Sequence, residues 1–348
     1  MKFFFKIFLW CLCFAVKTAD CQIVKYSNDF LSTGSFSKEE ALGCSNFSSQ
    51  NGSLSIFSNP SRLDFEDYKA DFSVMHDNYF SSLATLNLLS GVFKADSLTF
   101  LGFGFLRFGV DDIQNTINLF DDDGNMDFSR ISYFSVADYA LFMSVSRKYK
   151  NFFFGTSLKL IYRHQGKFAN AYGFGFDVAA SYRKDKFSVS AVVKDLTTTF
   201  NFWTINSKSF DSTFFQSGNS LPVGGLEQTS PSLNLSASYF WKLKKFVFAT
   251  SFATESYFFL QQNYLISSKF FSSDIKAGIE ISYSDIVFMR AGVSDFQKDN
   301  TLTISKTFSC SPSFGAGVKL LRFAFDYAFK MERAIERNSN VFTLGVKF

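Results

Sequence analysis

Along most of the chain, hydrophobic and polar residues alternate with a period of two. From Leu321 to Phe329, one face carries Leu321, Phe323, Phe325, Tyr327 and Phe329, and the other carries Arg322, Ala324, Asp326 and Ala328. Ala171 to Tyr182 repeats this, with Tyr172, Phe174, Phe176, Val178 and Tyr182 opposed by Gly173, Gly175, Asp177, Ala179 and Ser181. Phe152 to Arg163 does so again, with Phe152, Phe154, Leu158, Leu160 and Tyr162 against Gly155, Ser157, Lys159 and Arg163. Such alternation predicts strands with one apolar face. The stretches run about 9 to 12 residues, the length at which a tilted strand crosses a bilayer. A soluble sandwich also alternates. Here, however, small and charged residues fill one face, as a watered lumen requires, and Phe fills nearly every position of the other, as lipid requires.

The same reading places strands at 69–76, 79–92, 97–108, 134–149, 151–164, 171–183, 186–197, 230–242, 245–257, 272–283, 285–293, 303–319, 321–330 and 340–348. The predicted fold is all-β, a 14-stranded antiparallel transmembrane β-barrel of the bacterial outer membrane. Tight connections such as 148–150, 183–186 and 242–245 alternate with long ones at 109–133, 198–229, 258–271, 294–302 and 331–339. Outer-membrane barrels keep short turns on the periplasmic side, which orients the chain. The four prolines are expected outside strand centres. Trp203 and Trp241 fall near strand ends, where aromatic girdles belong. The last strand ends on alternating Phe342, Leu344, Val346 and Phe348.

Composition agrees with a lipid-facing coat. Of 348 residues 50 are Phe, aromatics reach 19% and Pro is only 4, which excludes disorder, collagen and coiled coil. The net charge of +4 gives no electrostatic case for nucleic acid. Residues 1–21 combine Lys2 and Lys6 with an apolar run from Ile7 to Val16, the layout of a cleaved signal peptide. No later run is long and apolar enough for a membrane helix. Residues 22–68 precede the first strand, and the barrel occupies 69–348. Because 14 strands enclose more than wall side chains can fill, 22–68 is expected to be a plug or hatch. Ser37 and Glu40 have the spacing of a capping box for a short helix within it. Once the signal is removed, Cys44 and Cys310 remain, and pairing or separate small apolar residues both fit.

Candidate chemistry is sparse. His76 and His164 are the only histidines, and no Ser/His/Asp arrangement is visible, so no enzyme is expected. Asp121, Asp123 and Asn125 have the alternate-position spacing of a calcium loop, but Met126 stands where the glycine belongs and Ser132 where the closing Glu belongs. A structural calcium and an acidic solvated turn both fit. Lys159, Arg163, Asp177, Lys194, Arg322 and Asp326 fall on the polar face, lining a polar path or filling the barrel as an internal network. Basic residues crowd the tight turns, among them Lys148, Lys150, Lys244 and Lys245, where either contact with inner-leaflet phosphates or plain solvation places them.

Several strings carry a family resemblance. K-E-E-A-L-G from Lys38, S-N-P-S-R-L from Ser58, F-L-R-F-G-V-D-D-I from Phe105, F-S-V-A-D-Y-A-L from Phe134, F-A-N-A-Y-G-F-G-F-D-V from Phe168 and D-L-T-T-T-F-N-F-W from Asp195 resemble the PorV/PorQ family of Bacteroidetes outer-membrane proteins. Ser58 and Arg62 depart from its usual pattern. The resemblance implies a FadL-like barrel of the type IX secretion system, whose partners are outer-membrane lipid, other type IX components and cargo proteins bound through C-terminal sorting domains. It would place cargo at the loops 109–133 and 198–229. The alternative expectation is a FadL-like channel for hydrophobic small molecules.

Overall fold

The computed structural model describes residues 27–79, 82–116, 119, 124–207, 224–258, 264–299, 307–332 and 337–348. Residues 1–21, expected to be a signal peptide, lie outside the described residues, as do Asp121 and Asp123. Fourteen strands form the wall: β1 Ala70–Tyr79, β2 Ala84–Lys94, β3 Thr99–Asn115, β4 Ser132–Tyr149, β5 Phe152–Gln165, β6 Ala169–Lys184 and β7 Phe187–Lys194 make its first half. The second half is β8 Ser232–Leu243, β9 Phe246–Tyr257, β10 Phe271–Tyr283, β11 Val287–Asp299, β12 Thr307–Leu320, β13 Phe323–Glu332 and β14 Arg337–Lys347. Every neighbouring pair is antiparallel, and β1 closes on β14 from Asp71 opposite Lys347 to Asn78 opposite Asn340. Closure removes the open edges that hydrocarbon does not tolerate. Three short strands extend the wall: Thr199–Ile205 beside β6, Leu226–Thr229 beside it, and Ile266–Ser268 beside β10.

Outward positions form the lipid coat. Tyr139, Tyr162 and Tyr172 stand in one register row across β4, β5 and β6, with ring centroids 6.0 and 5.1 Å apart. Nearer the tight turns, Phe152 packs on Tyr182 and Trp241 stacks on Phe248. Tyr172 and Tyr182 mark the two girdles on a single strand. At ~3.3 Å per residue and a tilt of ~40–45°, that separation spans ~25 Å, the height of an outer-membrane apolar band.

Several boundaries differ from the pattern-based expectation. The first hairpin turns after Tyr79, so His76 sits within β1 on the outer face, bonded to Asn87 and Asn78. β3 runs on to Asn115 through a register shift between Val110 and Ile113, where Asp112 has φ 57°. Pro312 lies inside β12, contrary to expectation, opposite Val293 and beside the register shift at Ser294/Gln297, where the ladder is already interrupted. Leu321 has φ 54° and belongs to the β12–β13 turn, so Arg322 is exposed at the rim and does not line the lumen along a strand.

Candidate functional site: a divided lumen

Residues 27–68 lie inside the wall and contain one short α-helix, Ser37–Ala41, and 3-10 turns at Asp29–Leu31, Gly52–Ser55 and Pro60–Arg62. Ser37 does not cap the helix. Phe36 is the N-cap residue and makes no side-chain cap bond, while the Ser37 hydroxyl meets Thr343 of β14 at 2.7 Å. Glu40 instead reaches back to accept from the Ser35 amide at 2.8 Å. Asn59 begins the Pro60–Arg62 turn by accepting from Ser61 N, and its own amide donates to Ser181 and Ser190 on β6 and β7. Ser48 meets Ser238 at 2.7 Å and Ser45 meets Ser251 at 2.6 Å. Two wall glycines make the approach possible. A Cβ on Gly155 would lie 2.2 Å from Pro60 O, and one on Gly292 would lie 2.2 Å from Gly43 N. Backbone cannot yield at such distances, so these positions admit no side chain while the segment stays in place.

The interior is unevenly divided, with its apolar residues concentrated on β2 and β3. Inward residues of β1–β5, including Met75, Leu86, Leu88, Leu106, Phe142 and Ile161, are buried against Phe36, Ile56, Phe57 and Leu63 of the segment. Polar groups are buried on these strands as well, among them Asp71, Ser73, Asp77, Ser90, Asp138, Ser144, Ser157 and Lys159, and β6–β13 add a denser set of serines and ion pairs. Lys159 and Asp177, both expected at the lumen, meet at 2.8 Å, and Lys159 also binds Asp195, which in turn accepts from Thr199 Oγ1. Residues 195–198 form a bulge beside β6: Asp195 and Thr198 have φ 55° and 61°, and Leu196 N donates to Phe176 O. Gly175 lies under this bulge, where a Cβ would sit 2.0 Å from Thr199 Oγ1.

The other expected lumen residues separate. Arg163 pairs with Asp138 at 3.0 Å and lies 5.5 and 5.1 Å from the rings of Phe30 and Trp203. Trp203 is therefore not part of a girdle: it faces inward and donates to Glu227. Asp326 pairs with Arg290, which also binds Glu280 at 2.6 Å. Lys194 lines two polar cavities of about 60 and 50 Å3, together with Leu31, Ser32 and Phe57. Their polar lining and size suit ordered water. Glu39 borders the larger cavity, and burial holds its carboxyl above the usual carboxylate range. Lys276 pairs with Glu255 at 2.7 Å, and Lys330 with Asp295 at 3.2 Å and Glu40 at 4.0 Å. Sequence reasoning missed these partners, as well as Asp195, Arg290 and Glu280.

His164 bonds Asn170 on the outer face of the upper rim, so the two histidines share no site. Cys44 and Cys310 are both free thiols.

No family model matches the chain, and no curated protein matches it in sequence. Solved structures do. The toluene transporter TbuX of Ralstonia pickettii superposes with a TM-score of 0.55 at 11% identity, covering 90% of this chain and 98% of that one. The toluene transporter TodX of Pseudomonas putida gives 0.53 at 13% identity, with 90% and 99% covered. A FadL homologue of Pseudomonas aeruginosa gives 0.48 at 10% identity, with 90% and 98% covered. At such identities the likeness is one of fold. The chain is a closed 14-stranded antiparallel barrel with the fold of the solved TbuX and TodX structures.

Proposed function

We propose that the barrel passes small hydrophobic compounds across the outer membrane, with residues 22–68 as a plug that must shift for passage. The observation that carries this reading is the apolar cluster on the inner face of β2 and β3, Leu86, Leu88, Val92, Phe100 and Leu106, which Met75, Phe142 and Ile161 of the neighbouring strands extend. A barrel built to hold water has a polar interior, whereas here Met75, Leu86, Leu88 and Ile161 point inward. Displacing the segment would uncover this apolar cluster, bordered by the polar groups of β1, β4 and β5. TbuX and TodX, whose fold the chain shares, are toluene transporters.

The type IX reading rests on the sequence resemblance alone and gains nothing from the structural likenesses. Much of the loop it would use, 208–223, lies outside the described residues, as do Asp121 and Asp123 of the calcium candidate. The two readings separate in one strain pair. Cells carrying the barrel are expected to take up labelled toluene faster than cells lacking it, with secretion unchanged. Equal uptake, together with capture of the barrel by a tagged sorting domain, would replace this reading with the cargo one.

A further inference from the structure

At the periplasmic mouth a cavity of about 190 Å3 opens between the plug segment and β11–β14. Lys38, Arg290, Lys319, Arg322 and Lys347 line it, against the two carboxylates Asp71 and Asp326. Three of these cations have partners: Arg290 binds Glu280 and Asp326, Lys38 lies 3.9 Å from Glu280, and Lys347 lies 3.9 Å from Asp71. Lys319 and Arg322 are exposed, and among the described residues neither has a carboxylate within ion-pair distance. The site thus carries more positive charge than its own acids neutralise, and two cations stand ready at its lip.

The cavity also crosses the rim. Val318 is 40% exposed and Phe323 58% exposed on the lipid-facing side, yet both line it together with Val346. Lys319, the next residue after Val318, faces the lumen side, because successive strand residues point to opposite faces. The turn at Leu321 and Arg322 is therefore the edge over which an apolar outer surface meets a cationic inner one. A free oxyanion would use only the inner surface. A phosphate carried on acyl chains uses both, with its chains on Val318, Phe323 and Val346.

We propose that this rim cavity binds the phosphate of an anionic phospholipid of the inner leaflet, with Lys319 and Arg322 in direct contact and Lys38 and Lys347 behind them. Its role is independent of what crosses the lumen. Each cation near a membrane surface is worth about fivefold in affinity for anionic lipid, so removing both contacts should cost about 25-fold.

The test uses the full-length protein in detergent and short-chain phosphatidylglycerol as the probe. K319Q/R322Q is expected to weaken binding about 25-fold. K244Q/K245Q removes the same charge from the exposed β8–β9 turn on the same rim and is expected to leave binding unchanged. Heat-dependent gel migration verifies that both variants are folded. Equal weakening by the two double variants would show a diffuse basic rim and overturn the site. So would equal affinity for phosphatidylcholine. Saturable binding of inorganic phosphate without phosphatidylglycerol binding would overturn the lipid as its source.

Discussion

Replacing Lys159 with Met is expected to destabilise the barrel by about 3–5 kcal/mol, the cost of leaving buried charge without its partner. Lys159 is 2% exposed and holds both Asp177 and Asp195, while Asp177 also accepts from the Asp195 amide at 2.8 Å. Without the ammonium, two buried carboxylates face each other beside a small internal cavity, and the 195–198 bulge loses its anchor. The triple variant K159M/D177N/D195N removes the charge conflict and should recover most of the loss, because a neutral set of similar shape carries no uncompensated ion. Denaturant unfolding in detergent measures both. A loss below about 1 kcal/mol for K159M would mean that water reaches these groups as it reaches a surface pair.

Deleting residues 22–68 is expected to turn a barrel of low conductance into one with clear open-channel steps in planar bilayers. The described part of the segment runs inside the wall from the Arg163 end, where Phe30 lies under the guanidinium, to the residue before Lys69, whose amide donates to Phe348 O at the other rim. Fourteen strands leave space that wall side chains do not fill. The serine-rich half, with Ser181, Ser190 and Ser236 buried beneath the segment, would wet on its removal. The wall is held by its own strand ladder, so heat-dependent gel migration should persist. Unchanged conductance in a folded deletion variant would show that the segment does not obstruct the lumen.

The strand number was legible because period two survives wherever one face meets lipid. Clean alternation in β5, β6 and β13 also revealed Lys159, Asp177 and Asp326 as inward groups. Parity fails where the backbone leaves the ladder. Leu321, with its left-handed φ, moved Arg322 to the rim, and the four-residue bulge hid Asp195 from any count by twos. Trp203 follows the same bulge and turns inward for that reason. The apolar cluster of the lumen was masked differently. In β2, Leu86 and Leu88 face inward while the polar Thr85 and Asn87 take the outer parity, so the alternation there points its apolar face into the lumen and not toward lipid. The lumen therefore looked more polar from sequence than it is. The partners of the N-terminal segment were not legible at all, since Ser37 meets Thr343 and Ser45 meets Ser251 across separations of 306 and 206 residues.

The most direct measurement locks the plug to the wall. Ser37 and Thr343 oxygens lie 2.7 Å apart, so S37C/T343C in a C44S/C310S background places two thiols at the contact between the segment and β14. Uptake of labelled toluene is then compared in oxidised and reduced cells. If hydrophobic compounds pass only when the segment moves, uptake falls on oxidation to that of cells lacking the barrel and returns on reduction. Equal uptake in the locked and reduced states would contradict a displaceable plug guarding an apolar cluster.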